Sequence, residues 1–512
     1  MVNKPLVWMP IALALSILSP GSVQADPFID SVHRGFDRVP DDRRSDLVLL
    51  PLLAAMDPLP LGVSTPRDAA FLLPSDPAWN RAETWATGPA QVALIDAIDR
   101  VTLEEDPRQS FVYAQRYGDT GVPEGLEIGL AGGELLAGAV LGYLRGLDRA
   151  SALVNIEATR RMSGGDARAA IDLLTDWLMF SRQICDRPLF AEAAWGYKSA
   201  ASAMERMRDI AYLDYASDSR SLTTTDAAEI IDRLAPDGYI DPWRLQIPQG
   251  DRVAVEQIVD RVLGVDSGNE AFGATMALTT AGDRPLRLFG EASRWLGLGE
   301  AHNGRADTLA ALERVYGDLE ARFEAPEHSP LLDPPTTLSR TSQTQFPVLT
   351  ATLEGADSIL ALRDVLRTEL VGTRQAIALV GYALRFGSFP RDLSSTRPVW
   401  IPAVEADPFN PERANGSIPP LEYFVPIRDN RRGREPHSAT FQSPSLPEPV
   451  EVTFDDSVFV LYSWGPDKSR GLGRKLAHTV DEGARDTDYL IWPPAISVLR
   501  TLPAPAPGAT SE

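Results

Sequence analysis

The sequence predicts a mainly α-helical protein of antiparallel helical hairpins. It ends in a C-terminal α+β module, a long helix followed by a small antiparallel sheet. Three observations predict it. Apolar residues recur every three or four positions through most of residues 77–386, the beat of a helix face. Short Gly, Ser and Pro breaks part the periodic runs, as packed helical hairpins require. Past residue 390 the beat changes to β-branched and aromatic runs between turn residues, the pattern of strands. With 44% hydrophobic and 23% charged residues among 512, the chain carries the material of a packed core and is not broadly disordered.

Residues 1–25 read as a secretory signal peptide. Lys4 supplies the positive region, Leu6–Leu18 the apolar stretch, and Val23-Gln24-Ala25 the small residues a signal peptidase needs. That stretch would span about 20 Å as a helix, short of a ~30 Å bilayer core. The segment holds no cysteine, which excludes a lipoprotein anchor. The expected location is therefore periplasmic or secreted, with no stable membrane insertion after signal cleavage.

Residues 26–325 read as a helical domain. Pro51 inside "LVLLPLLAAM" predicts an interrupted helix. Val92, Ile95, Ile98 and Val101 repeat at three-residue spacing and predict a helix there. From about 130 to 215 the helical beat is clearest: Leu135, Leu136, Val140, Leu144 and Leu147 make one stripe, and Ile156 and Met162 mark another helix. After Gly164-Gly165, Asp166 is placed to cap a helix carrying Ile171, Leu174, Trp177, Leu178 and Ile184. Pro188 ends that pattern and a third helix follows. Asp226 with Glu229 resembles a capping box, and further helices are expected from Asp251 and through "ADTLAALERVYGDLEARF".

Residues 326–352 are rich in Pro, Ser and Thr without period, and read as a linker. Residues 353–496 form the expected module. Its long helix stops at Gly387, before Phe389-Pro390, and strands follow in "LEYFVPI", "VEVTFDDSVFVLYSW" and "DYLIWPP". Residues 497–512 read as a disordered tail.

The texts "ALRFGSFPRDL", "DPFNP", "PLEYF" and "VLYSWGPD", in that order, resemble the globular domain of the major pseudopilin of type II secretion, over about residues 360–494. A vaguer likeness links the helical part to uncharacterised secreted bacterial proteins. The pseudopilin resemblance implies a calcium ion held in the loop after the "Y-S-x-G-x-D" strand. Carried over, Asp467 matches that motif's Asp, and Asp486 or Asp488 matches the later carboxylates. No cofactor other than this calcium is expected. Lys468, Arg470, Arg474 and Lys475 crowd the same segment, and pairing of these cations with Asp481, Glu482, Asp486 and Asp488 is the competing expectation.

A net charge of −22 argues against nucleic acid and anionic membrane surfaces as partners. Cys185, the only cysteine, allows no internal disulfide and reads as a buried inert thiol on an apolar helix face. His33, His302, His328, His437 and His478 show no zinc-ligand spacing, and neither a G-x-S-x-G elbow nor a phosphate-binding loop occurs. The expected role is a non-catalytic binding or assembly protein of the cell envelope, with an envelope or secreted protein as partner. The alternative is a carbohydrate- or peptidoglycan-acting enzyme using Asp/Glu pairs on the helical domain. Its candidate carboxylates are Asp41-Asp42, Glu104-Glu105-Asp106 and Asp455-Asp456, and Trp79, Trp85, Tyr113 and Tyr117 are candidates for stacking.

Overall fold

Asp26 caps helix α1 (Pro27–His33). Its carboxylate accepts from the Phe28 N–H at 2.9 Å and also meets Gln257 and Arg261 far along the chain. The structure is a computed structural model, and it describes residues 26–102, 110–132, 134–235, 238, 240–264, 272–276, 292–430, 433–478 and 486–502. The expected signal segment, the 104–106 acidic run, Asp481, Glu482 and the last ten tail residues lie outside the described residues.

Helix α2 (Ser45–Ala55) runs through Pro51, a correction to the expected interruption. The carbonyl that Pro51 leaves without a donor belongs to Leu47. Both residues are exposed, so water can serve that group, while Leu49, Leu50 and Leu53 hold the other face in the core. Helices α3 (Pro66–Phe71), α4 (Trp79–Ala86) and α5 (Pro89–Thr102) follow.

The next stretch corrects the helical expectation from residue 130. Strands β1 (Ile128–Ala131) and β2 (Leu135–Leu141) form an antiparallel hairpin turned at Gly132, whose φ of +60° suits glycine. Almost every β2 residue is buried, so the strand reads as an unbroken apolar run rather than an alternation. The helical stripe counted through it belongs to a helix only from Gly142 onward.

Helices α6 (Gly142–Ser163), α7 (Ala167–Cys185) and α8 (Phe190–Ala216) make the centre of the helical body. The Asp166 carboxylate accepts from the Ala169 N–H at 2.9 Å, the cap the sequence predicts. Helix α9 (Thr224–Arg233) starts with a capping box, but Thr223 and Asp226 form it, three residues earlier than expected. Then come α10 (Gly250–Leu263), α11 (Ala292–Gly299) and α12 (Arg305–Glu324). Residues 326–352 contain α13 (Thr337–Arg340) and α14 (Pro347–Thr352), with Leu338, Val348 and Leu349 buried.

Helix α15 (Ser358–Phe386) is the longest and is buried for most of its length. Its charges are accommodated by partners. Glu369 pairs with Arg208 at 2.6 Å, Arg367 with Glu327 at 2.8 Å, and Arg363 donates to Asp364 and to carbonyls at the end of α12. Gly387, at φ +73°, ends it in the left-handed conformation expected of a C-cap glycine.

Six strands follow: β3 (Glu422–Phe424), β4 (His437–Gln442), β5 (Val450–Phe454), β6 (Val460–Ser463), β7 (Lys475–Ala477) and β8 (Asp488–Trp492), in the order β3-β6-β8-β7-β4-β5. The sheet is mixed, which corrects the antiparallel expectation: β4–β7 and β7–β8 are parallel pairs. The polar β4 and the three-residue β7 carry too little apolar alternation to be read as strands. Helix α16 (Ala495–Thr501) then occupies residues assigned to the tail, a further correction.

One apolar core runs from Leu49 on α2 to Trp492 on β8 and takes in Phe459, Leu461, Tyr489 and Ile491 from the sheet. The intervening Val460, Tyr462 and Leu490 pack on the opposite sheet face with Val498 of α16. Helices on one face and α16 on the other thus bury the central strands.

Candidate functional site

The Trp464-Gly465 corner after β6 is held from below. Asp407 of the "DPF" turn, fully buried, accepts from the Ser463 hydroxyl at 2.5 Å, the Trp464 N–H at 3.0 Å and the Phe409 N–H at 3.1 Å. Burial pushes its carboxyl up to about 6 despite these donors. Beyond the corner, Asp488 at the start of β8 accepts from the backbone N–H groups of Gly471 (3.0 Å) and Gly473 (2.8 Å). Burial raises it to about 7; those N–H groups oppose the rise, while Asp467 and Glu422 add repulsion. Asp467 is raised by burial and by Asp486, and its Oδ1 accepts from the Ser469 N–H. The three carboxylates expected at a calcium ion therefore lie within electrostatic reach of one another. Among the described residues no group of three His, Cys, Asp or Glu converges as a ligand set. Two of the crowding cations point elsewhere: Lys468 pairs with Asp333 at 2.5 Å and Arg470 with Glu422 at 2.7 Å.

A groove lies where the helices meet the sheet. A cavity of about 550 Å³ is walled by Tyr212 and Tyr215 of α8, Gly387–Phe389 beyond α15, Val425, Arg428, the β5–β6 turn and Trp492. It adjoins a second of about 420 Å³ between β5 and α16, the two sharing Tyr212, Ser457 and Val458. Strand β5 is an end strand, paired only with β4 among the described residues. The Asp455-Asp456 pair makes the turn at this groove, as its position between strands predicts. Asp455 accepts from Ser457, and Asp456 from the Ile427 and Arg428 N–H groups, so each is spent on backbone or turn structure.

A third cavity, of about 290 Å³, sits among α3, α6, α7, α8 and α16. Trp177 and Trp195 meet edge to face across it, ring centres 6.2 Å apart. The Trp195 indole N–H donates to Asp148 at 2.8 Å, and burial raises that carboxyl. Glu205 also lines the cavity, but it accepts from the Ile496 N–H at 3.1 Å and meets His478 Nε2 at 3.1 Å. Burial alone would raise Glu205; His478, then Arg67 and Arg208, hold it down at about 2. Behind it, Glu369 takes Arg208 and the Tyr489 hydroxyl (2.8 Å), and Asp209 takes Arg206, Arg500 and Ser497. This ionic network joins α8, α15, α16 and the sheet.

The other expected candidates do not gather into one site. Trp79 is buried in the core, Trp85 donates to the Asp57 carbonyl, Tyr113 stacks on Tyr143 at 4.9 Å, and Tyr117 packs with His33 and donates to Glu192. Asp41-Asp42 forms an exposed turn beside Arg44. Cys185 is buried, donates to the Ser181 carbonyl at 3.3 Å, and burial pushes its thiol well up. Sequence reading missed Asp148, Trp195, Glu205 and His478 as neighbours, since their partners sit on separate elements. The one local signal was Trp195 among the small residues of α8.

No family model, no curated protein and no solved structure matches this chain. Among the described residues no helix is long and apolar enough to cross a membrane.

Proposed function

We propose that this is a non-catalytic binding or assembly protein of the cell envelope, exported by its N-terminal segment. In this reading it receives an extended, partly apolar segment of an envelope protein at the helix–sheet groove. The observation that carries the proposal is the outer edge of β5, unpaired among the described residues, along a cavity that adjoins the one walled by Tyr212, Tyr215, Phe389 and Trp492. An end strand offers backbone donors and acceptors to an added strand, and aromatic walls take alternate side chains. Calcium held by Asp467, Asp486 and Asp488 belongs to the same proposal, as an ion steadying the loop between β6 and β8.

The glycan-acting alternative draws on the Trp177/Trp195 cavity, where Asp148 and Glu205 have ionisations driven in opposite directions. Glu205 is committed to His478 and Ile496, which leaves Asp148, bonded to the Trp195 indole, as the one carboxylate there without a cation among the described residues. Cleavage of a glycosidic bond by acid and base needs two.

The test is capture from envelope extracts with the wild-type chain and with Tyr215→Ala, a half-buried groove residue packed on the edge of the core, each checked for folding by circular dichroism. Recovery of a secretion or surface-layer component by the wild type, reduced about tenfold by the substitution, is expected. Equal recovery by both, or recovery of glycan alone, overturns the proposal.

A further inference from the structure

We infer that the cavity between the α3 start and α6–α8 is a binding site for an amino-acid-sized zwitterion with an apolar side chain. The inference concerns a different site from the groove and does not depend on its role.

Asp148 is half-buried, and among the described residues its one hydrogen-bond partner is the neutral indole N–H of Trp195. A carboxylate taken from water without a cation is costly, and an ammonium group delivered by a ligand would relieve it. The adjoining indole faces suit the same ammonium. Trp177 supplies an independent sign: it is 2% exposed, lines the cavity, and its indole N–H finds no partner among the described residues. A buried donor of this kind calls for an acceptor.

Charge decides between a simple amine and a zwitterion. Exposed Arg67 and Lys198 also line the cavity, while Glu205 is already balanced by His478. A bare cation would meet two like charges, whereas a ligand bearing its own carboxylate matches Asp148 at one end and these cations at the other. Leu174, Ala70, Ala203 and Ile496 supply an apolar remainder. At about 290 Å³ the cavity sits at the small end for ligand sites, which excludes large glycans and cofactors.

Isothermal titration of the full chain with L-phenylalanine, phenethylamine, 3-phenylpropionate and D-glucose tests this. Expected is binding of L-phenylalanine, with each singly charged analogue about tenfold weaker. Asp148→Asn is expected to weaken L-phenylalanine about tenfold and leave 3-phenylpropionate unchanged; Lys198→Ala, an exposed change that spares the fold, weakens both. Circular dichroism melting confirms that both variants are folded. The inference is overturned if L-phenylalanine gives no heat at about 10 mM, if phenethylamine binds as tightly, if glucose binds instead, or if folded Asp148→Asn and Lys198→Ala bind as the wild type does.

Discussion

Asp407 holds Ser463: the Ser463 hydroxyl donates to Asp407 Oδ1 at 2.5 Å, and the next residue's N–H donates to Oδ2. This contact joins two separated texts, the "DPF" turn and the "YSWG" strand end. It fixes where β6 stops and so where the segment carrying Asp467 begins. A buried carboxylate at this place accepts three donors from two separate segments.

Replacing Asp407 with alanine would leave those donors buried and unpaired. A loss of about 3 kcal/mol is expected, read as a lowered midpoint in urea unfolding. Asp407→Asn keeps one acceptor and is expected to cost less. A midpoint unchanged in the alanine variant would show that the corner holds itself.

The His478–Glu205 pair predicts a stability window. Burial lowers His478, but Glu205 and Glu369 more than offset it, so its folded value lies above 6.5; Glu205 lies near 2 against an ordinary 4.5. The histidine's contribution is complete below its unfolded value and is lost as pH rises through the raised one. The glutamate's contribution is complete above its unfolded value and is lost as pH falls toward about 2. His478→Gln leaves Glu205 buried without its cation, and a loss of about 3 kcal/mol near pH 6 is expected, shrinking as pH rises through the histidine's raised value. A pH-independent difference between variant and wild type would contradict the pairing.

What was legible in the sequence was local. Asp166 and Ala169 are three residues apart, so the cap could be read; likewise the Asp455-Asp456 turn between two alternating runs. The capping box slipped by three residues because Thr223 precedes several equivalent polar residues. The β1–β2 hairpin was hidden because burial on both faces erases alternation, leaving spacing that fits a helix equally well. The ionic network was invisible for another reason: Arg208 and Glu369 are 161 positions apart, and Glu205 and Ile496 are 291. In the sequence each is one charge on an otherwise ordinary helix, and only the packing of α8 on α15 and the sheet pairs them.

That packing depends on a missing side chain. On α15, a methyl group placed on Gly372 would fall 2.6 Å from Ile491 Cδ1 and 2.8 Å from its Cγ2, so β8 can lie against the helix only because residue 372 is glycine. Gly372→Ala gains helix propensity but overpacks this contact. A net destabilisation of about 1–3 kcal/mol is expected, measured by chemical denaturation. The double variant Gly372→Ala, Ile491→Val is expected to recover part of it. Stabilisation by the single change would mean that strand and helix are held apart by something else.

Asp488 couples pH to the proposed calcium. With its carboxyl raised to about 7, the protonated form is favoured in the fold, so its contribution to stability is complete below the ordinary value of 3.8 and is lost as pH rises through about 7. Asp176, Asp364 and Asp407, each raised to about 6, act in the same direction. Melting temperature is therefore expected to fall between pH 5 and pH 8, with a shallower fall in Asp488→Asn. A divalent cation bound by Asp467, Asp486 and Asp488 needs the ionised carboxylate and would replace the repulsion among them with attraction. Calcium at about 1 mM is then expected to raise the melting temperature by several degrees at pH 8 and by little at pH 6, and Asp488→Asn is expected to abolish the shift. No shift at either pH would remove the metal and leave Asp488 as a proton-bearing latch, closing the 471–473 turn against the start of β8.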